Sequence, residues 1–232
     1  MNTITRFVAI LSLVWAGSAN SALIGVDFSN ADILPTNWNR QGSFTNNPVV
    51  SNLIDESGAA TGVDFTVSTN FATNSGQTFA AGTLPTHSNP LNGLDGHSFD
   101  SGTVSYMFTG LATDALFDIW VFGLAQPLTA PVNQNVSITG SGPDLNFLQG
   151  SFAAQQLVVN SELGDSNRTL DSFAESITSS GTGSINISVS AIGNNWNLAG
   201  IAIRQVEQVP LPSTLALFAL GLLGLARIRQ NA

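Results

Sequence analysis

Fifteen acids and two histidines are the side chains with which this chain could hold a metal or move a proton. His87 precedes the segment Asp95-Gly96-His97-Ser98-Phe99-Asp100. Two imidazoles and two carboxylates could converge there on one ion, and such mixed nitrogen and oxygen ligation suits zinc or copper. The spacing fits no metal motif, however, and the Gly- and Asn-rich surroundings with Pro85 and Pro90 read equally as a solvated loop. Calcium asks less, because carboxylates and loop carbonyls suffice. Asp27, Asp32, Asp55 and Glu56 are the acids expected to hold calcium if any do, against a solvated acidic rim. Sugar binding calls for aromatic side chains on loops. Trp38 in Thr36-Asn37-Trp38-Asn39-Arg40 and Trp196 in Asn194-Asn195-Trp196-Asn197 are placed for it, since Asn both donates and accepts as sugar hydroxyls do. The same two Trp-Asn segments could instead plug the ends of a domain. Trp120 and Tyr106 lie in apolar runs and read as core.

Gly164-Asp165-Ser166-Asn167 resembles the nucleophile block of SGNH-type esterases. That family places its nucleophile near the N-terminus with Asp and His later, whereas both histidines here precede Ser166. A polar loop between strands accounts for the segment. No nucleophile, base and orienting group are recognisable together, so no catalytic residue is assigned and the chain is expected not to be an enzyme.

The elements that would carry these residues follow from composition and pattern. Of 232 residues 9% are charged and 43% apolar, a charge content well below the roughly 25% of an ordinary soluble domain. There is no lysine, and all fifteen acids lie between the termini against Arg40, Arg168 and Arg204. Such a surface excludes a nucleic-acid binder, which needs clustered cations. The absence of cysteine excludes disulfides and thiolate metal sites. Short runs rich in β-branched and aromatic residues recur between Gly, Asn, Asp, Ser and Pro clusters. Strands are expected at Leu23–Phe28, Val49–Ile54, Gly62–Ser68, Thr103–Phe108, Leu116–Phe122, Gln134–Thr139, Asn146–Phe152, Gln156–Val159, Ser172–Ile177, Ser184–Ala191 and Leu198–Arg204. Alternation puts Val104, Tyr106 and Phe108 on one face, and likewise Ile185, Ile187 and Val189. Leu116–Leu124, apolar on both faces except at Asp118, reads as a central strand. The expected fold is all-β, a two-sheet sandwich over residues 23–206.

The two ends read as targeting segments. Residues 1–22 have the order of a signal peptide: Arg6, an apolar stretch from Phe7 to Gly17, then small residues. Ala19 and Ser21 suit the two small pockets of signal peptidase, which would leave Ala22 at the new terminus. A buried N-terminal helix is the competing account. In the tail at 207–232, Val209-Pro210-Leu211-Pro212 precedes an apolar run from Leu215 to Ala226, with Arg227 and Arg229 after it. The prolines keep the approach extended, and the arginines would hold the end of the expected transmembrane helix on the cytoplasmic side. The run is shorter than the ~20 residues that ordinarily span a bilayer.

This tail resembles the PEP-CTERM sorting signal of Gram-negative bacteria. Pro210 and Pro212 match its prolines, Gly221-Leu222-Leu223-Gly224-Leu225 its helix core, and Arg227 and Arg229 its basic end, while Leu211 departs from the usual Glu. The resemblance implies recognition by an exosortase, removal of the helix and delivery to the cell envelope, surface or extracellular matrix, a context that goes with exopolysaccharide and biofilm. A plain membrane anchor would keep the topology without the release. A second resemblance covers most of the middle. Val26-Asp27-Phe28, Trp38-Asn39, Leu53-Ile54-Asp55-Glu56-Ser57-Gly58, Thr61-Gly62, Gly110-Leu111 and Trp196-Asn197-Leu198-Ala199-Gly200-Ile201 are similar to galactose-binding-like jelly-roll domains. That fold hosts sugar binders, calcium-binding domains and inert modules, so it does not decide among them. The expected function is an exported, non-catalytic surface or matrix protein. A secreted carbohydrate-binding module is the alternative, with extracellular polysaccharide as its partner, and a hydrolase ranks third.

Overall fold

Val104, Tyr106 and Phe108 leave their strand on one face, as do Ile185, Ile187 and Val189 on the next, and all six meet in one core. The computed structural model describes residues 22–28, 36–41, 49–68, 72–74, 97–124, 132–153, 155–193 and 195–207. The expected signal helix and sorting helix lie outside these residues, as do Ala19, Ser21, Asp32, His87, Val209, Pro210, Leu211, Pro212, Arg227 and Arg229. Residues Ser21–Val206 form one compact unit.

In chain order, the described strands begin with β1 Ile24–Asp27, β2 Asn39–Arg40, β3 Val49–Val50, β4 Asp64–Val67 and β5 Ala72–Asn74. They continue with β6 His97–Asp100, β7 Thr103–Thr109, β8 Leu116–Leu124, β9 Val132–Thr139 and β10 Leu145–Phe152. The last are β11 Leu157–Val159, β12 Glu162–Leu163, β13 Glu175–Thr178, β14 Ser184–Ala191 and β15 Trp196–Gln205. Two sheets result. The smaller runs β10-β9-β14-β7-β4-β3. The larger runs β12-β11-β8-β15-β1-β2, with β13 sharing an edge of β8, β6 sharing an edge of β15, and β5 beyond β6. Of its pairs, β1 with β2 is parallel. The expected sandwich is present.

Strand β8 explains why the larger sheet has two buried faces. Phe117, Ile119 and Val121 enter the core between the sheets. Trp120, Phe122 and Leu124 enter a second core on the sheet's outer face, with Leu23, Trp38, Leu157, Val159, Ala199 and Ala202. A lid of irregular chain completes that second core. Leu170 and Phe173, three residues apart on a short 3-10 turn, both point into it, and Trp120 Nε1 donates to the Leu170 carbonyl at 2.9 Å. This period of three is why the expected strand at Ser172–Ile177 is shortened to Glu175–Thr178. The expected strand at Val49–Ile54 is likewise cut to Val49–Val50. Asn52 adopts φ 55°, a left-handed conformation that ends an extended run.

Polar groups stitch the sheets where side chains would otherwise be apolar. Gln134 on β9 accepts from the Asn197 amide through Oε1 at 2.6 Å and donates through Nε2 to the Asn197 carbonyl at 3.1 Å. It serves β15 as a surrogate strand neighbour. Its Nε2 also donates to Gln149 Oε1 at 2.6 Å, and Gln149 Nε2 donates to the Val121 carbonyl at 2.9 Å. Both glutamines and Asn197 are fully buried, so each such bond offsets a desolvation cost that would otherwise stand alone.

Candidate functional site

The two tryptophans expected on loops are in fact core residues. Trp38 is 3% exposed and Trp196 is wholly buried. Trp196 opens β15 and meets Tyr106 edge-on at 6.3 Å between ring centroids. Trp38 closes the second core, 5.9 Å from Phe122. The Asn-rich flanks suggested exposure, but the local backbone turns each indole inward, where its large apolar area is removed from water. Both indoles are packed into cores, so neither offers a face to a sugar.

Of the acids expected at a calcium site, Asp55 and Glu56 have structural posts. Asp27 is fully buried on the second-core side of β1, paired in register with Gly200. Asp55 heads a tight turn and accepts from the Ser57 amide at 2.8 Å, the Ser57 hydroxyl at 2.5 Å and the Ala59 amide at 3.0 Å. Partial burial opposes ionisation of Asp55. The Ser57 hydroxyl with the Ala59, Ser57 and Gly58 amides outweighs it and holds the carboxyl below its ordinary range. Glu56 latches the start of the first strand: its amide donates to the Leu23 carbonyl at 2.8 Å, and its Oε1 accepts from the Leu23 amide at 3.4 Å. Among the described residues, no three His, Cys, Asp or Glu side chains gather as metal ligands would. An open cleft of about 220 Å³ lies beside this turn, lined by Ala22, Asp55, Thr61, Gly110, Phe117 and Gln205.

The esterase-like segment is a turn. Asp165 accepts from the Asn167 amide at 2.8 Å and from Asn167 Nδ2 at 3.0 Å, so its carboxylate closes the loop rather than orienting a base. Beside it, Arg168 pairs with Glu162 and lies 3.9 Å over the Phe173 ring. The segment around His97, read as a solvated loop, is strand β6, paired with β15.

What the residue-by-residue reading missed is a surface. The outer face of the smaller sheet presents three parallel rows across its strands. In register, the first row is Thr139, Asn186, Met107 and Thr66. The second is Asn146, Ser137, Ser188 and Ser105, and the third is Leu148, Asn135, Ser190 and Thr103. No charge occurs in any row. Leu148 is 50% exposed and Met107 37%. An open depression of about 440 Å³ lies over Asn135, Ser137, Asn146 and Leu148. The signal was present in β14, where Ile185, Ile187 and Val189 alternate with uncharged Ser184, Asn186, Ser188 and Ser190.

Comparison with known proteins separates the fold from the tail. The chain is similar in fold to a β-glucuronidase of Bacteroides uniformis, with a TM-score of 0.50 at 12% identity over 80% of this chain and 18% of that one. This chain thus corresponds to less than a fifth of that enzyme. It also aligns with the ANX1 ectodomain of Arabidopsis thaliana at a TM-score of 0.36 and 9% identity, over 60% of this chain and 39% of that one. With TmCBM61 in complex with β-1,4-galactotriose the TM-score is 0.28 at 11% identity, over 47% of this chain and 69% of that one. No curated protein matches the chain. Residues 208–230 match the PEP-CTERM protein-sorting motif, which indicates an exported protein that an exosortase sorts to the cell envelope or surface of a Gram-negative bacterium.

Proposed function

We propose that this chain is a non-catalytic module of the cell surface or extracellular matrix, delivered there by its own sorting tail. The match at residues 208–230 carries the reading, because it begins within two residues of the compact unit that ends at Val206. Signal peptidase removes the segment before Ala22. The exosortase then reads Val209-Pro210-Leu211-Pro212 together with the apolar run and the Arg227 and Arg229 end, and detaches the module in a matrix context that goes with exopolysaccharide. The module's own chemistry supports a binding or scaffolding role over catalysis. Asp55, which lines the cleft, and Asp165, which precedes Ser166, are each held by hydrogen bonds within their own turns.

The test is the intact mass of protein recovered outside the cell. The expected species begins at Ala22 and lacks Arg227. A species that retains Arg227 contradicts release, and hydrolysis abolished by Ser166→Ala in a broad substrate screen contradicts the non-catalytic reading.

A further inference from the structure

We propose that the outer face of the smaller sheet is a binding platform for an uncharged, hydroxyl-rich polymer, a neutral polysaccharide. The inference rests on the surface-module reading above and gives that module a ligand class.

Three observations converge on this face. The first is its chemistry. Along the strands of the smaller sheet, Asp64 is the one charged residue, and its register partner Thr109 lies one row beyond the three described. The chain as a whole carries a net charge of −9, but this face carries none, so it neither repels nor selects for ions. The second is the state of its polar groups. Several polar side chains elsewhere, such as Asp55, Asp165, Ser172 and Ser180, are occupied within the fold. Among the described residues, the side chains of Asn135, Ser137, Asn146, Asn186 and Ser188 take part in no hydrogen bond within the chain. Their hydroxyls and amides can each donate and accept, as the hydroxyls of a sugar do. The third is geometry. Asn146, Ser137, Ser188 and Ser105 stand on four adjacent strands in one register, so neighbouring side chains are separated by the strand spacing of roughly 4.8 Å. That repeat is close to the length of one pyranose unit, and Leu148 and Met107 flank the row with exposed apolar surface for sugar C–H groups. A polymer laid across the strands would meet a hydrogen-bonding group at each residue, through direct bonds or bridging water.

Affinity electrophoresis of the exported protein tests this, in native gels containing hydroxyethyl cellulose, a neutral β-galactan or alginate. The inference expects retardation by at least one neutral polymer and none by alginate. Placing acids in the central row, Ser137→Glu with Ser188→Glu, should weaken retention roughly tenfold or more. Ser166→Glu on a distant loop should leave it unchanged. The two positions are direct register partners, so the paired acids should lower the melting temperature; Ser137→Ala with Ser188→Ala adds no charge, should leave the melting temperature near that of the parent, and should still weaken retention. Mobility unaffected by either neutral polymer overturns the proposal, as does retention that survives both double variants. Concentration-dependent dimerisation in light scattering, lost in the same variants without a polymer effect, would make the face a contact between copies of this chain and also overturn it. Terminal masses measured on the same samples judge the sorting reading separately, so either can fail alone.

Discussion

The indole of Trp38 fills the place of the side chain that Gly25 lacks: a Cβ on Gly25 would lie 2.3 Å from Cδ2 and 2.4 Å from Cε2 of that ring. Carbon atoms cannot approach so closely, so the glycine is a packing requirement of the second core. It also explains why Trp38, surrounded by polar neighbours in sequence, is removed from water.

Gly25→Ala is therefore expected to destabilise the fold by about 1–3 kcal/mol, the usual cost of overpacking a filled core. Urea melts followed by tryptophan fluorescence would measure it. Trp38→Leu in the same chain should recover part of the loss, because the clash is with the ring. An unchanged midpoint in Gly25→Ala would show that the indole can move aside freely.

Gln134→Leu removes an acceptor for the Asn197 amide and a donor shared by the Asn197 carbonyl and Gln149 Oε1. All are buried, and each orphaned group costs about 1–3 kcal/mol. The variant should lose more stability than Val136→Ala, although Leu is similar in size to Gln and leaves little void. Paired denaturant melts of the two variants decide the order.

Acid stability should carry a signature of Asp55. Its folded pKa lies below the ordinary value of 3.8, so the ionised form is favoured by folding. That contribution is fully present above the ordinary value, fades as pH falls through it, and vanishes below the folded pKa. Asp55→Asn should flatten the pH dependence of stability in that acidic window and leave its slope near neutrality unaltered. Melting temperatures between pH 2 and pH 7 (roughly the span over which carboxylates titrate) would show it.

Arg204 joins two acids of different elements, Asp118 on β8 and Asp171 on the 3-10 turn, each at 3.0 Å, with Trp120 5.1 Å from its guanidinium. Arg204→Met keeps much of the apolar stem but breaks both pairs. A loss of about 1 kcal/mol is expected, since both pairs are partly exposed. High salt should narrow the difference from the parent, and a salt-independent difference would assign the loss to packing on Trp120.

At the tail, Arg227→Gln with Arg229→Gln should leave precursor at the membrane, because the basic end that matches the sorting motif is gone. Immunoblotting of envelope and medium fractions reads the outcome. Normal release would remove the arginines from the recognition requirement.

Much of the fold was legible in local sequence because a sandwich strand obeys a short-range rule. Each alternate side chain faces the same way, so Val104-Tyr106-Phe108 and Ile185-Ile187-Val189 announced both their strands and their buried faces. Leu116–Leu124 announced a strand buried on both sides for the same reason. The sorting tail was legible because its recognition rests on a contiguous stretch of chain. Burial of individual polar-flanked residues was not legible, since it depends on what arrives from elsewhere in the chain. Trp38 could face a sugar or plug the fold until Gly25 and Phe122 met it, and Asp27 could hold calcium or stand in water until β15 paired alongside it. The uncharged platform belongs to the same class. Asn146, Ser137, Ser188 and Ser105 are ordinary residues scattered through the chain, and only strand register makes them a row. Periodicity along one strand decides which way a side chain points; pairing between distant strands decides what it stands beside.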